Sequence, residues 1–255
     1  MATRRTVLAA AGAACLLAAQ GRPARSTTGG HTRTPGERRA ADPAAVNRVL
    51  TDFRMLALTF DDGPDPRSTP QVLDILRDHA VTATFFMIGR NVAQHPQLAE
   101  RVRREGHTIG NHTADHLWLD AYGSNVVRDQ LERGTQALVD AGLPRPRYVR
   151  PPRGWTSPGV GRESARQSLR SIFWSDCLEA HLYRGTDQAA EVTARAARPG
   201  SIILCHDGGT LDGPNPQHED RSTTVAALPR LLERLLAANL RPVTLPELLR
   251  DGPVA

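Results

Sequence analysis

The chain has 255 residues, 40% of them hydrophobic and 23% charged, which is the make-up of a soluble globular protein with room for one large domain or two small ones. All 32 cationic side chains are arginine, which excludes a lysine Schiff base, a P-loop lysine and a lysine general base. The formal charge of +5 suggests an anionic partner, but residues 1–54 carry nine Arg against three acids, a net +6, while the other 201 residues sum to −1. The body of the chain is therefore not basic, and no nucleic-acid partner is expected.

In chain order, Arg4-Arg5 precedes an apolar run from Val7 to Ala19. A basic start followed by such a run is the pattern of an export signal, and the run is short for a membrane span. The arginine pair resembles a twin-arginine signal. Residues 1–21 are read as this signal, with cleavage near Gly21 or Ala24, and a lipid anchor on Cys15 is disfavoured because apolar residues continue beyond it. Residues 22–54 are rich in Arg, Pro, Gly, Thr and Ala without an apolar period, so they read as a tether that ends in a short helix around Ala44–Leu50. The mature protein is expected to be secreted or associated with the cell wall, with no transmembrane span. Cys177 and Cys205 remain after the leader. They are either a pair formed in an oxidising compartment or two separate buried thiols.

From residue 55 to 255 short β-rich runs alternate with helical patterns. Met55–Phe60, Thr82–Ile88, His107–His112, Arg147–Pro151, Ser171–Ser175, Ser201–His206 and Pro242–Leu245 read as strands. Helices are expected from Thr69, with Pro70 at its first turn, over Val92–Glu105 and Val126–Ala141, each stopped by a glycine, and over Thr224–Ala238. About seven βα-type repeats imply an α/β fold with parallel strands, either a barrel or an open sheet. The Asp-, His- and Arg-rich segments fall where strands end, the rim on which such folds place chemistry.

Four segments carry that chemistry. Thr59-Phe-Asp61-Asp62-Gly-Pro64 sets two carboxylates side by side at a strand end, pointing in different directions. His112-Thr-Ala-Asp-His116 spaces two imidazoles four apart, able to converge on one ion if the segment turns helically. With one Asp they form a His₂-carboxylate set that leaves positions open for water and substrate. Arg150-Pro-Pro-Arg153-Gly154-Trp155 is a stiff loop whose glycine permits close approach of a ligand, and Leu204-Cys-His206 delivers a histidine from a buried strand.

In this order the four segments resemble the polysaccharide deacetylase family (carbohydrate esterase family 4), which includes chitooligosaccharide deacetylases, peptidoglycan N-acetylglucosamine deacetylases and some acetylxylan esterases. The resemblance runs from about Met55 to Leu249. It implies a distorted (β/α) barrel of about seven parallel strands and a hydrolase acting on an N-acetylated polysaccharide or oligosaccharide. By the same resemblance Asp62, His112 and His116 bind a divalent metal, zinc first and cobalt or another ion next, and Asp61 is the general base held by Arg150. The backbone N–H of Arg153 faces the oxyanion, His206 protonates the leaving amine, and Leu204 lines the pocket for the acetyl methyl.

Two departures stand out. Arg153 occupies a position that is aromatic in most members, and the family's Asp-Trp pair is missing. Glu179, or failing that Asp176, is expected to orient His206 in its place. Gly154 and Trp155 complete the substrate wall, Trp118 is a further candidate for stacking on a sugar, and Trp174 is read as core. The alternatives are an O-acetyl xylan esterase on the same centre and a non-catalytic glycan-binding module.

Overall fold

A computed structural model describes residues 45–209 and 220–250. The export signal, Cys15 and the tether up to residue 44 lie outside the described residues. The strands are β1 (Met55–Asp61), β2 (Thr84–Met87), β3 (Thr108–Asn111), β4 (Tyr148–Val149), β5 (Arg170–Ser171), β6 (Asp176–Cys177), β7 (Ile202–His206) and β8 (Arg241–Val243). The helices are α1 (Thr69–Asp78), α2 (Gly89–Gln94), α3 (Pro96–Arg104), α4 (Ser124–Asp140), α5 (Pro158–Arg166), α6 (Thr186–Ala196), α7 (Ser222–Ala237) and α8 (Leu245–Arg250).

Every ladder between these strands is parallel. Seven strands run in the order β5-β4-β3-β2-β1-β7-β6, and β8 lies along the first half of β1. The sheet curls without closing, which is the distorted barrel expected. All seven expected strands have a counterpart. The eighth, β6, is two residues beside Ile203 and Leu204 with no apolar run to announce it.

Side-chain alternation divides the core. Leu56, Leu58 and Phe60 of β1, with Ile203 and Cys205 of β7, pack outward against Val72, Leu73 and Leu76 of α1 and Leu228, Leu231 and Leu235 of α7. Met55 and Ala57, with Ile202 and Leu204, point inward to meet Phe86, Phe173, Trp174 and Val243. Period-2 geometry then carries Thr59 and Asp61 onto the inner face above Ala57, and His206 above Leu204. The register pairs Thr59 with Leu204 and Asp61 with His206. Cys205 is a free buried thiol, so it is not bonded to Cys177. Among the described residues no helix is long and apolar enough to cross a membrane.

Two local expectations are corrected. The helix expected over Val92–Glu105 is two helices broken at His95, because Pro96 cannot donate a backbone hydrogen bond and instead starts α3. The stretch 45–50 is extended rather than helical: Val46 N–H donates to the Ser171 carbonyl (2.9 Å), Phe173 N–H to the Val46 carbonyl (2.7 Å) and Val49 N–H to the Gly200 carbonyl (2.9 Å). Both valines are fully buried, and β-branched side chains favour this extended packing.

His107, just before β3, is buried with its Nδ1 accepting the Ala83 N–H at 3.1 Å. Burial lowers its pKa to about 4, with Glu105 opposing. A neutral imidazole is therefore part of the fold. Its contribution is complete above the unfolded pKa of about 6.5 and is lost as pH falls toward 4, by at most about 3 kcal/mol. Denaturant unfolding measured across this window should show that loss in the wild type, and a flatter profile in His107→Gln.

Candidate active site

The inner face of β1 and β7 ends in a cluster of buried polar groups. Asp61, Asp62, His112 and His116 are each 3% exposed or less. Asp62 leaves the strand with φ 74, a left-handed conformation that Asp tolerates better than most residues, and this separates its carboxylate from that of Asp61. No side chain fits at Gly208, where a Cβ would overlap the Asp62 carbonyl, so the loop after β7 closes directly onto the turn after β1.

His112 and His116 converge as expected but not through a helix. Thr113 (φ 70) and His116 (φ 58) are left-handed; Asn111 Oδ1 accepts the Thr113 N–H at 2.6 Å, and Thr113 Oγ1 accepts the His116 N–H at 3.0 Å. A polar turn does what one helical turn was expected to do. His112 Nε2 lies 3.3 Å and His116 Nε2 3.4 Å from Asp62 Oδ1. That oxygen is buried without a hydrogen-bond donor, and ligand atoms of the three residues lie within 4.8 Å of one another. The His112 Nδ1 is 2.7 Å from the Arg150 carbonyl, so it carries the proton and leaves the Nε2 lone pair facing Asp62. Two inward nitrogen atoms around one orphaned carboxylate oxygen fit a divalent cation of the zinc type. Burial opposes charge on Asp62, yet His116, His112 and His206 together hold its carboxyl far below the usual range.

Arg150 is completely buried beneath Asp61. Its Nη1 donates to Asp61 Oδ1 (2.7 Å) and Thr59 Oγ1 (2.9 Å), its Nε to the Ile172 carbonyl (3.1 Å) and its Nη2 to the Phe173 carbonyl (3.0 Å). The guanidinium lies 4.3 Å from the Phe86 ring and 5.5 Å from Trp174. Asp61 Oδ2 is left toward the metal-type cluster, 3.8 Å from His112 Nε2.

His206 stands across the cluster with Nε2 4.0 Å from Asp62 Oδ2 and Nδ1 3.3 Å from Glu179 Oε2. Glu179 Oε1 also accepts the His206 N–H (2.9 Å) and the Thr224 hydroxyl (2.8 Å). Burial disfavours the imidazolium, but the Glu179 carboxylate outweighs it and raises the pKa of His206. Asp176, the second choice for this partner, does not reach His206. It faces His181 Nε2 at 3.3 Å instead, and the same oxygen accepts the Cys177 N–H at 2.8 Å.

The loop after β4 carries the remaining residues. Arg153 is left-handed (φ 61), and Gly154 (φ 65) has no room for a side chain because a Cβ would stand 2.5 Å from the Trp174 ring. Trp174 is buried core, as expected. Trp118 and Trp155 are half-buried and meet edge to face at 5.2 Å. The guanidinium of Arg153 lies over the Trp118 ring at 4.0 Å and 5.7 Å from Trp155, so a charged plate supported by two indoles stands where an aromatic side chain is usual in the family. Leu204 is buried on the barrel's inner face below His206.

Two residues of the site have no forerunner in the sequence reading. Asp207 is fully buried: its N–H donates to the Asp61 carbonyl (3.1 Å), and its Oδ2 accepts the Thr69 hydroxyl at 2.5 Å, which ties β1 to the start of α1. Burial, with Thr69 opposing, raises its pKa to about 7. Arg221, at the start of α7, points back to Asp62.

Comparison with known proteins agrees with this geometry. Residues 49–171 match the family model described as polysaccharide deacetylase. The chain is 38% identical over 207 residues to a peptidoglycan-N-acetylglucosamine deacetylase of Bacillus cereus, covering 79% of this chain and 91% of that one. It is 41% identical over 193 residues to a chitooligosaccharide deacetylase of Sinorhizobium fredii, covering 74% and 89%. Among solved structures, the Bc1960 peptidoglycan N-acetylglucosamine deacetylase in complex with a benzamide ligand superimposes with a TM-score of 0.73 at 30% identity, over 83% of this chain and 95% of that one. The chain belongs to the polysaccharide deacetylase family.

Proposed function

We propose that this chain is an exported, metal-dependent hydrolase that removes N-acetyl groups from N-acetylglucosamine-type sugars of an extracellular polysaccharide, peptidoglycan or chitin-like. Residues 1–21 are its export signal and residues 55–255 the catalytic domain; residues 22–54 are a tether whose end packs onto that domain through Val46 and Val49. The observation that carries the reading is the convergence of Asp61, Asp62, His112, His116 and the Glu179–His206 pair on one buried cluster, with the tautomer of His112 set for a ligand. Asp62, His112 and His116 hold a divalent ion, zinc before cobalt given two imidazoles and a carboxylate.

When bound, the ion supplies Lewis acidity to a water and to the acetyl carbonyl oxygen. Asp61 takes the water's proton on Oδ2 while Arg150 holds Oδ1, so the base enters the reaction with one oxygen already fixed. The Arg153 backbone N–H stabilises the oxyanion that forms on attack. His206 delivers a proton from Nε2 to the leaving amine, with Glu179 keeping Nδ1 protonated and the ring in place. Leu204 lines the floor under the acetyl methyl, and Arg153, Gly154 and Trp155 form the sugar-facing wall. An O-acetyl esterase would use the same centre, but an alkoxide leaves more readily than an amine and depends less on His206. A non-catalytic glycan-binding module has no need of the full set of base, acid, ligands and positioning residues.

Acetate release, measured with added zinc or cobalt on peptidoglycan, chitooligosaccharides and acetylated xylan, tests the reading. Asp61→Asn should lower the rate by about 10²–10⁴-fold, the span of general-base contributions; a normal rate would sink the mechanism. His206→Ala should cost the amide substrates about 10² more than the ester, and an equal loss on both would favour the esterase. Arg150→Met leaves Asp61 buried and unpaired, so it should lower stability by about 3–5 kcal/mol in urea unfolding, as well as activity.

A further inference from the structure

The two oxygens of Asp62 face different partners. Oδ1 looks at the two imidazole nitrogens, 3.3 and 3.4 Å away, and no hydrogen-bond donor reaches it. Oδ2 looks the other way, to Arg221 Nη2 at 3.3 Å, with His206 Nε2 at 4.0 Å. Arg221 is itself fixed: its Nε donates to the Gly208 carbonyl at 2.6 Å, and the residue is only 8% exposed. Gly208 in turn sits against the Asp62 carbonyl so closely that no Cβ fits. Arg221 also occupies the N-cap position of the 16-residue helix α7, whose first turn is met from outside by Asp220, which accepts the Ser222 N–H at 2.8 Å and the Ser222 hydroxyl at 2.9 Å, so the Arg221 side chain is not needed at the helix end and turns to Asp62. A buried arginine clamped to the loop that touches Asp62, with its outer nitrogen on the Asp62 carboxylate, has the geometry of a group that holds that carboxylate.

We propose that Arg221 is a positioning residue for metal binding: it occupies Asp62 Oδ2, so that Asp62 presents Oδ1 alone and ligates in a monodentate manner. The inference rests on Asp62, His112 and His116 being the metal ligands, as proposed above. A carboxylate free at both oxygens can swing and take an ion with both. A guanidinium on the outer oxygen prevents this, keeps a coordination position open for a second oxygen donor from solvent or substrate, and draws electron density from the ligating oxygen. Because the guanidinium stands behind the carboxylate, orientation of the ligand outweighs the repulsion between the two cations.

The full chain is stripped with chelator and titrated with cobalt(II) alone, following the visible absorption and the free ion. The wild type should bind one cobalt per chain. Arg221→Gln should bind it about 10- to 100-fold more weakly, the usual cost of losing a partner of a metal ligand. Its visible bands should weaken as Asp62 takes the ion with both oxygens. Arg221→Lys, which keeps the charge but not the Nε anchor to Gly208, should retain the wild-type spectrum with intermediate affinity. Circular dichroism establishes that each variant is folded. If Arg221→Gln, or Arg221→Lys where the glutamine variant does not fold, binds with unchanged affinity and an unchanged spectrum, Arg221 is only a strap between α7 and its loop and the proposal falls. If the wild type binds no cobalt, the ligand assignment itself is overturned, and the proposal with it.

Discussion

The site depends on one buried guanidinium. A fully desolvated charge costs several kcal/mol unless geometry and hydrogen bonding offset it, and Arg150 meets that condition with a carboxylate, a hydroxyl and two main-chain carbonyls. Its partners come from β1 and from the segment after β5, so the residue locks strand ends that are not neighbours in the sheet. Its own carbonyl receives the His112 Nδ1–H. One residue thus orients the candidate base through its side chain and a candidate ligand through its backbone. The guanidinium is planar and remains charged even where burial lowers its pKa, as it does here, which suits a role in which the proton must never move.

Around that anchor the sheet provides register. β1 has three partners, β2, β7 and β8, and is buried along its whole length. A one-residue slip of β7 against β1 would turn His206 to the outer, apolar side and bring Cys205 inward. The apolar residues Leu58, Phe60 and Ile203 on the outer face therefore fix the position of His206 as firmly as its own hydrogen bonds do. Functional chemistry at the rim is held by ordinary hydrophobic packing below it.

The sequence was most legible where a pattern repeats. The continuous apolar runs Met55–Phe60 and Ser201–His206 marked the strands, and their ends marked the places of Asp61, Asp62 and His206. It was less legible where local preference and tertiary demand part. The His112–His116 spacing suited a helix, but Asn111 and Thr113 supply side-chain acceptors that build a tighter turn. Val46 and Val49 sat in a stretch read as a short helix, yet their burial against the segment after β5 and the residues before β7 wins. The choice between Glu179 and Asp176 could not be made from spacing, because it depends on β6, a strand of two residues. Arg221 lies 159 positions from Asp62, and no local pattern joins them.

One arrangement recurs in the finished cluster. Asp61 gives Oδ1 to Arg150 and turns Oδ2 inward; Asp62 gives Oδ2 to Arg221 and turns Oδ1 inward. Each carboxylate has its cation behind it and its free oxygen toward the centre. Two adjacent anions in one buried site repel, and a guanidinium behind each offsets that repulsion. Lysine would serve this design poorly, since it is a point charge that loses its proton more readily when desolvated and cannot bind a carboxylate and carbonyls in one plane. A chain whose 32 cations are all arginine loses nothing here by having no lysine, because both buried positions call for the guanidinium.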